Sequence, residues 1–323
     1  MFMPTLNHYR YRLAGAPTPV AGLALGIASL GWTWENMGNF SGDAQFIGTL
    51  IASPLLLILA AKFLCHPTLL AKDLAHPVVG SVVPTFAMAT MVVSATLGGQ
   101  LGTTLWLFAV ALHLVFLVTF IWHRLKDFQL QHMVPSWFVP PIGIVVADVA
   151  SPGGAFAPLA ELLLWFGIGC YAIMLPMMLY RLVFCGEVPD AAKPTLAIMA
   201  APASLCLAGY LTVTAAPAPL LVAILLGIAI LMTATIYLAF IKLLRLPFSP
   251  GFAAFTFPLV IGASALFKTA SLVDNLDLAA GTSEQLRALA EGELIVATAV
   301  ITYVALRFAL HFNPLRKTAP KLA

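Results

Sequence analysis

The chain of 323 residues is 61% hydrophobic and only 9% charged, with a mean hydropathy of +0.98. Water-soluble domains carry roughly 25% charged residues, so an ordinary soluble enzyme is excluded. Sixteen Lys and Arg against thirteen Asp and Glu leave a net charge of +3, scattered in ones and twos. No basic face exists to neutralise a run of phosphates, which excludes nucleic acid as a partner.

The chain starts with Met1 to Leu13, which holds His8, Arg10 and Arg12 but no compact apolar core ending in a small-residue cleavage site. That reads as a retained cytoplasmic head, 1–16, rather than a signal peptide. A helix crosses about 30 Å of hydrocarbon with roughly 20 apolar residues. Stretches of that kind follow in order at 17–37, 44–64, 77–97, 101–123, 136–157, 159–184, 194–214, 217–241, 250–272 and 288–310. They consume most of the chain, so 17–312 is expected to be a single polytopic membrane domain, followed by a cytoplasmic tail, 313–323. The expected fold class is all-α integral membrane, with about ten transmembrane helices.

The cations test the span count. The head holds Arg10 and Arg12; the second, fourth, sixth and eighth connections with their helix ends hold Lys62 and Lys72, Arg124 and Lys126, Arg181 and Lys193, and Lys242 and Arg245. The last helix end and tail add Arg307, Arg316, Lys317 and Lys321, while only Lys268 and Arg287 lie near the ninth connection. Fourteen of sixteen cations thus share one side, the positive-inside pattern with both termini cytoplasmic.

The odd and even helices differ in composition. The first has Pro17 and Pro19 at its start; the third begins at Pro77 and carries Pro84; the fifth begins at Pro135 and carries Pro140 and Pro141. The seventh pairs Pro194 with Pro202, and the ninth Pro250 with Pro258. This repeat suggests one helical hairpin used five times. Proline inside a spanning helix frees carbonyls that need another helix, a side chain or water, and small residues follow these prolines, as in "AGLALGIASLG" from Ala21 and "APASLCLAG" from Ala201. The even helices carry bulky runs such as "LWLFAVALHLVFLVTFIW" from Leu105, which suit lipid. Two arrangements fit: an inner ring of five odd helices around a central path, or a packed bundle whose prolines merely kink core helices.

Ionisable groups at membrane depth point to function by default. Asp148 and Lys268, on inner helices near the outer interface, are expected to pair as a structural contact, with Asp148 the one titratable group suited to proton coupling; Glu161 starts the sixth helix. His113, alone on an outer helix, reads as a satisfied packing residue. Cys65, Cys170, Cys185 and Cys206 lie far apart, with no metal-ligand spacing, so no metal and no cofactor are expected. Without HExxH, GxSxG or facing carboxylates, a membrane-embedded enzyme ranks last.

"SPGFAAFTFPLVIGASALFK" from Ser249 and "KPTLAIMAAPASLCLAGYL" from Lys193 resemble the ninth and seventh helices of the tellurite-resistance/dicarboxylate transporter (TehA) family, related to the plant slow anion channels. "HPVVGSVVPTFAMATMVV" from His76, "VPSWFVPPIGIVVAD" from Val134 and "GIASLGWTWEN" from Gly26 are similar to its third, fifth and first. The resemblance implies five hairpins in pseudo-fivefold arrangement, odd helices forming an inner pore, and a homotrimer with a pore in each protomer, in a bacterial inner membrane. It also implies a pore gate, which the match on "AFTF" places at Phe257, with Pro84, Pro140, Pro202 and Pro258 as the pore-helix bends. An aromatic ring in a narrow path excludes ions sterically and by dewetting; Phe252 and Phe255 lie at another depth or on another face. Pro258 stands where the TehA branch has glycine, and "FTFP" is closer to the dicarboxylate and sulfite branch.

The expected function is therefore an anion channel or channel-like transporter for small inorganic anions. The alternative is a proton-coupled transporter of C4-dicarboxylates, sulfite or tellurite-type oxyanions, small organic dianions among them. No ring of Arg or Lys lines the expected path, which favours weak attraction and an order of permeability set by dehydration, nitrate before chloride.

Overall fold

The computed structural model describes residues 11–275 and 281–312. Residues 1–10 of the expected head and the expected tail, 313–323, lie outside the described residues. Among the described residues every regular element is helical. We number the crossing segments α1 Val20–Gly38, α2 Asp43–Cys65, α3 Val79–Leu97, α4 Gly99–Lys126, α5 Pro135–Val149, α6 Gly154–Phe184, α7 Asp190–Val213, α8 Pro219–Leu243, α9 Pro250–Asn275 and α10 Thr282–His311. A short helix, Pro67–Ala75, joins α2 to α3.

Eight of these are long and apolar enough to cross a membrane. The other two are α1 and α5, and each falls short for a visible reason. The last part of α1, Trp32-Thr33-Trp34-Glu35-Asn36, is polar because it caps its neighbour: the Glu35 carboxylate accepts from the Gly42 and Ala44 amides at 2.8 and 3.2 Å, at the start of α2. α5 is shorter than the expected 136–157. It alternates between 3₁₀ and α turns and stops at Val149, before Pro152 and two glycines, Gly153 and Gly154, at positive φ.

The helices fall into two sets by burial. In α3, α7 and α9, 72–78% of the membrane-length window is buried inside the protein, against 28–39% in α2, α4, α6, α8 and α10. The inner helices touch in a closed cycle, α1 with α3, α3 with α5, α5 with α7, α7 with α9 and α9 with α1. Each even helix packs on its own odd partner and on the next odd helix round the ring, α10 reaching back to α1. Five repeated hairpins therefore build an inner ring and an outer sleeve.

Hydrocarbon gives helices no hydrophobic reason to associate, so close packing and polar stitches hold the ring. Gly31 and Gly48 let α1 and α2 meet backbone to backbone: a Cβ on Gly31 would sit 2.4 Å from the Ala44 carbonyl oxygen. Hydroxyl pairs join inner helices, Thr33 to Ser264 at 2.7 Å between α1 and α9, and Ser81 to Ser136 at 2.7 Å between α3 and α5. The broken backbone of α5 is satisfied from α4: Trp106 Nε1 donates to the Ala147 carbonyl at 3.0 Å, and His113 Nε2 donates to the Pro140 carbonyl at 2.8 Å. His113 is fully buried between α4 and α5, with its Nδ1 left without a hydrogen-bond partner.

The odd helices all start at one face, which we term the near face, and the even helices return there. Cations gather at those returning ends. Arg181 is buried and donates to the carbonyls of Gly186 and Gln131 at 2.9 and 3.0 Å, and Arg124 donates to Ala75 at 2.6 Å, so these guanidiniums close loops.

Candidate functional site

Four inner helices break or change pitch part-way, and proline marks each place. Pro84 is the N-cap of the α-helical part Thr85–Leu97 of α3, after the separate turn Val79–Val82. In α7 a 3₁₀ stretch, Asp190–Ala200, gives way at Ala201-Pro202 to the α-helix Ala201–Val213. In α9 the 3₁₀ stretch Pro250–Phe255 gives way to the α-helix Phe257–Asn275, with Pro258 in its first turn. Pro140 lies in the first turn of Val139–Ile142 in α5. Proline fits the first turn because its missing N–H would have no partner there. The four prolines therefore sit at helix starts within the membrane, not at mid-helix kinks.

These starts surround a cavity of about 560 Å³ on the near side of the ring. All five inner helices line it, with Thr85, Val139, Ala201 and Phe257 from the new helix starts among the lining residues. Its walls are largely apolar, and the positive ends of the α-helical parts of α1, α3, α7 and α9 face it. Among the described lining residues Lys62 is the one Lys or Arg and Asp73 the one Asp or Glu.

A second, far smaller cavity of about 20 Å³ lies toward the far face, again lined from all five inner helices, by Thr33, Val92, Val146 and Ser264 among others. Two side chains line both cavities: Phe257 of α9 and Leu205 of α7. The inner ring thus encloses a wide cavity on the near side and a small one beyond it, with Phe257 and Leu205 on the border of both.

Phe257 is held from behind. Thr256 Oγ1 donates to Ala253 at 2.7 Å and to Gly22 of α1 at 3.1 Å, fixing the turn where α9 changes pitch. Gly26 makes room for it, since a Cβ there would lie 2.5 Å from the Thr256 side chain. Phe252 and Phe255 are fully buried, their rings 4.8 Å apart and in edge contact with Phe248 and Phe240, and they line neither cavity.

The expected pairing of Asp148 with Lys268 does not form. Asp148 is fully buried, neither carboxylate oxygen has a hydrogen-bond partner, and its Cβ lies 3.4 Å from where a Cβ of Gly209 would stand, so it faces α7. The Lys268 ammonium lies 5.5 Å from the Trp32 ring centroid, over α1. The alternating turns of α5 set the direction in which Asp148 points, and a uniform helix would not reproduce it. Asp148 lines neither cavity.

Three features escaped sequence reasoning. Leu205 is one leucine in a chain full of them, with no local signal. Lys62 counted only as a connection charge and Asp73 was not singled out, although Lys62 is 5% exposed and both line the vestibule. Glu293 of α10 is buried against Gly262, where a Cβ would meet its carboxyl at 2.2 Å; a carboxylate five residues inside the expected span 288–310 was the available signal.

The family model described as SLAC1, voltage-dependent anion channel, matches residues 20–309. Two uncharacterized transporters of Methanocaldococcus jannaschii are similar to this chain. One is 26% identical over 232 residues, covering 63% of this chain and 68% of the relative. The other is 27% identical over 215 residues, covering 58% and 62%, so this chain spans less than two thirds of that relative's length.

Proposed function

The chain belongs to the SLAC1, voltage-dependent anion channel, family, and we propose that it passes small anions along the ring axis through a path closed by Phe257. One observation carries this reading: Phe257 borders both the vestibule and the narrow far section. Helix starts facing the vestibule attract anions without fixing them, as passage requires. In this proposal Leu205 shares the constriction, Pro84, Pro140, Pro202 and Pro258 set the inner helix starts, and the near face is cytoplasmic. The proposal includes both termini on that side, a homotrimer, and a bacterial inner membrane.

With mostly apolar walls, ions are sorted by what it costs to shed water. Across a bilayer containing Phe257→Ala, with equal nitrate and chloride on opposite sides, the reversal potential should carry the sign of nitrate passing more readily. A chloride preference would mean a coordinating site that this reading lacks.

The proton-coupled carrier of C4-dicarboxylates, sulfite or tellurite-type oxyanions needs a titratable group on the path. Asp148 lies off both cavities, so Asp148→Asn should keep transport within about twofold of wild type in proteoliposomes. Loss of transport in a folded Asp148→Asn protein would move the coupled carrier ahead.

A further inference from the structure

The mouth of the vestibule carries a charge pair that the permeation reading leaves unused. Lys62, near the end of α2, points its ammonium into the vestibule wall and donates to the Ala16 carbonyl at 2.8 Å and to Thr18 Oγ1 at 3.1 Å. Asp73, on the short helix Pro67–Ala75, stands 3.6 Å from that ammonium and accepts from the Thr18 hydroxyl. The Lys62 side chain is 7% exposed and that of Asp73 25%. Residues 14–19, which Lys62 and Thr18 tie down, line the same cavity.

Each part has a consequence for a passing anion. Lys62 is a largely desolvated cation on the wall of an otherwise apolar chamber, and such a cation binds whatever carboxylate or inorganic anion reaches it. Its present counter-ion is part of the chain. The helix that bears Asp73 has none of its residues buried; Leu70 and Leu74 pack beside Val83, Ala87 and Phe116, Arg124 donates to the Ala75 carbonyl, and α3 comes close at Gly80, where a Cβ would lie 2.5 Å from the Leu74 carbonyl oxygen. The Asp73 side chain is 25% exposed, so its carboxylate can leave Lys62 by rotating about its own bonds while that helix stays in place.

Resting on the anion-path reading above, we propose that Asp73 is a tethered competitor, occupying an anion site at Lys62 and giving it up to a small inorganic anion from the near side. Thr18 holds the competitor in place, so the residue 14–19 segment and Asp73 release together. The vestibule then has a mouth that exchanges one anion for another, in series with the constriction at Phe257.

The test uses the purified full-length protein with iodide as probe, followed by isothermal titration calorimetry. Asp73→Asn removes the competitor and should lower the iodide dissociation constant by about two- to fivefold, the effect of losing an ion-pair partner that is partly exposed. Thr18→Val keeps both charges but frees Asp73, and should shift binding the same way by a smaller factor, which covers the case in which Asp73→Asn fails to fold. Adding Lys62→Gln should cancel the gain. Unchanged or weaker iodide binding in folded Asp73→Asn or Thr18→Val, or a gain that survives Lys62→Gln, overturns the proposal. Conductance of Phe257→Ala is scored separately. A silent Phe257→Ala with tighter iodide binding in Asp73→Asn removes the path and keeps the site, and a conducting Phe257→Ala with unchanged iodide binding does the reverse.

Discussion

Phe257→Ala should conduct anions at least about tenfold better than the wild type, which corresponds to a barrier lower by ~1.4 kcal/mol. The ring borders both cavities, so its loss joins a vestibule of about 560 Å³ to the narrow section beyond and lets water enter the constriction. A leucine in its place keeps most of the apolar bulk, and Phe257→Leu should stay within a few-fold of wild type. Leu205 remains in the alanine variant, so Phe257→Ala with Leu205→Ala should conduct more than either alone. Planar bilayer recordings on protein that elutes as wild type give the comparison. A folded Phe257→Ala protein as silent as its parent would remove Phe257 from the path and leave the constriction to something else.

Gly31→Val should abolish folded protein, by contrast with most single changes in the sleeve. Its Cβ would press within 2.4 Å of the Ala44 carbonyl oxygen and 3.0 Å of the Gly48 Cα. Both are main-chain atoms that cannot move aside without prising α1 from α2. Overpacking of this kind costs about 3 kcal/mol or more where no flexible side chain absorbs it, and in hydrocarbon the hairpin has little besides close contact to hold it. Gly227, with nothing within 4 Å of its would-be Cβ, is the control; Gly227→Ala should leave the melting temperature within a few degrees. Size-exclusion elution and thermal melting in detergent decide it, and a stable monodisperse Gly31→Val protein would show that α1 and α2 do not meet as closely as described.

Much of the architecture was legible in the sequence because bilayer thickness imposes a length on each crossing and proline marks each inner helix. The burial contrast between odd and even helices follows from small residues in one set and bulky ones in the other. What stayed hidden is local geometry. Proline announced a break at Pro202 but not that Asp190–Ala200 runs as 3₁₀ before it. The irregular turns of α5 made the direction of Asp148 unreadable, because a 3.6-residue period no longer applies, and the expected partnership with Lys268 failed for that reason. In the site, Phe257 stood out through its match to a known motif, whereas Leu205 has no mark of its own, and Lys62 looks like any cation at a helix end until the fold turns it inward.

The seam between α1 and α9 adds a matter of timing. Gly22 receives its hydrogen bond from Thr256, 234 residues further along, and Thr33 meets Ser264 across 231. At a synthesis rate of about 5–20 residues per second, the first inner helix waits roughly 10–50 seconds for the partner that completes its circle. Until then there is an open arc with no enclosed lumen, and a nascent chain of four hairpins has no walled route by which ions could leak. The circle of inner helices closes only in the last moments of manufacture, when α9 brings Phe257 in on the same helix that finishes the wall.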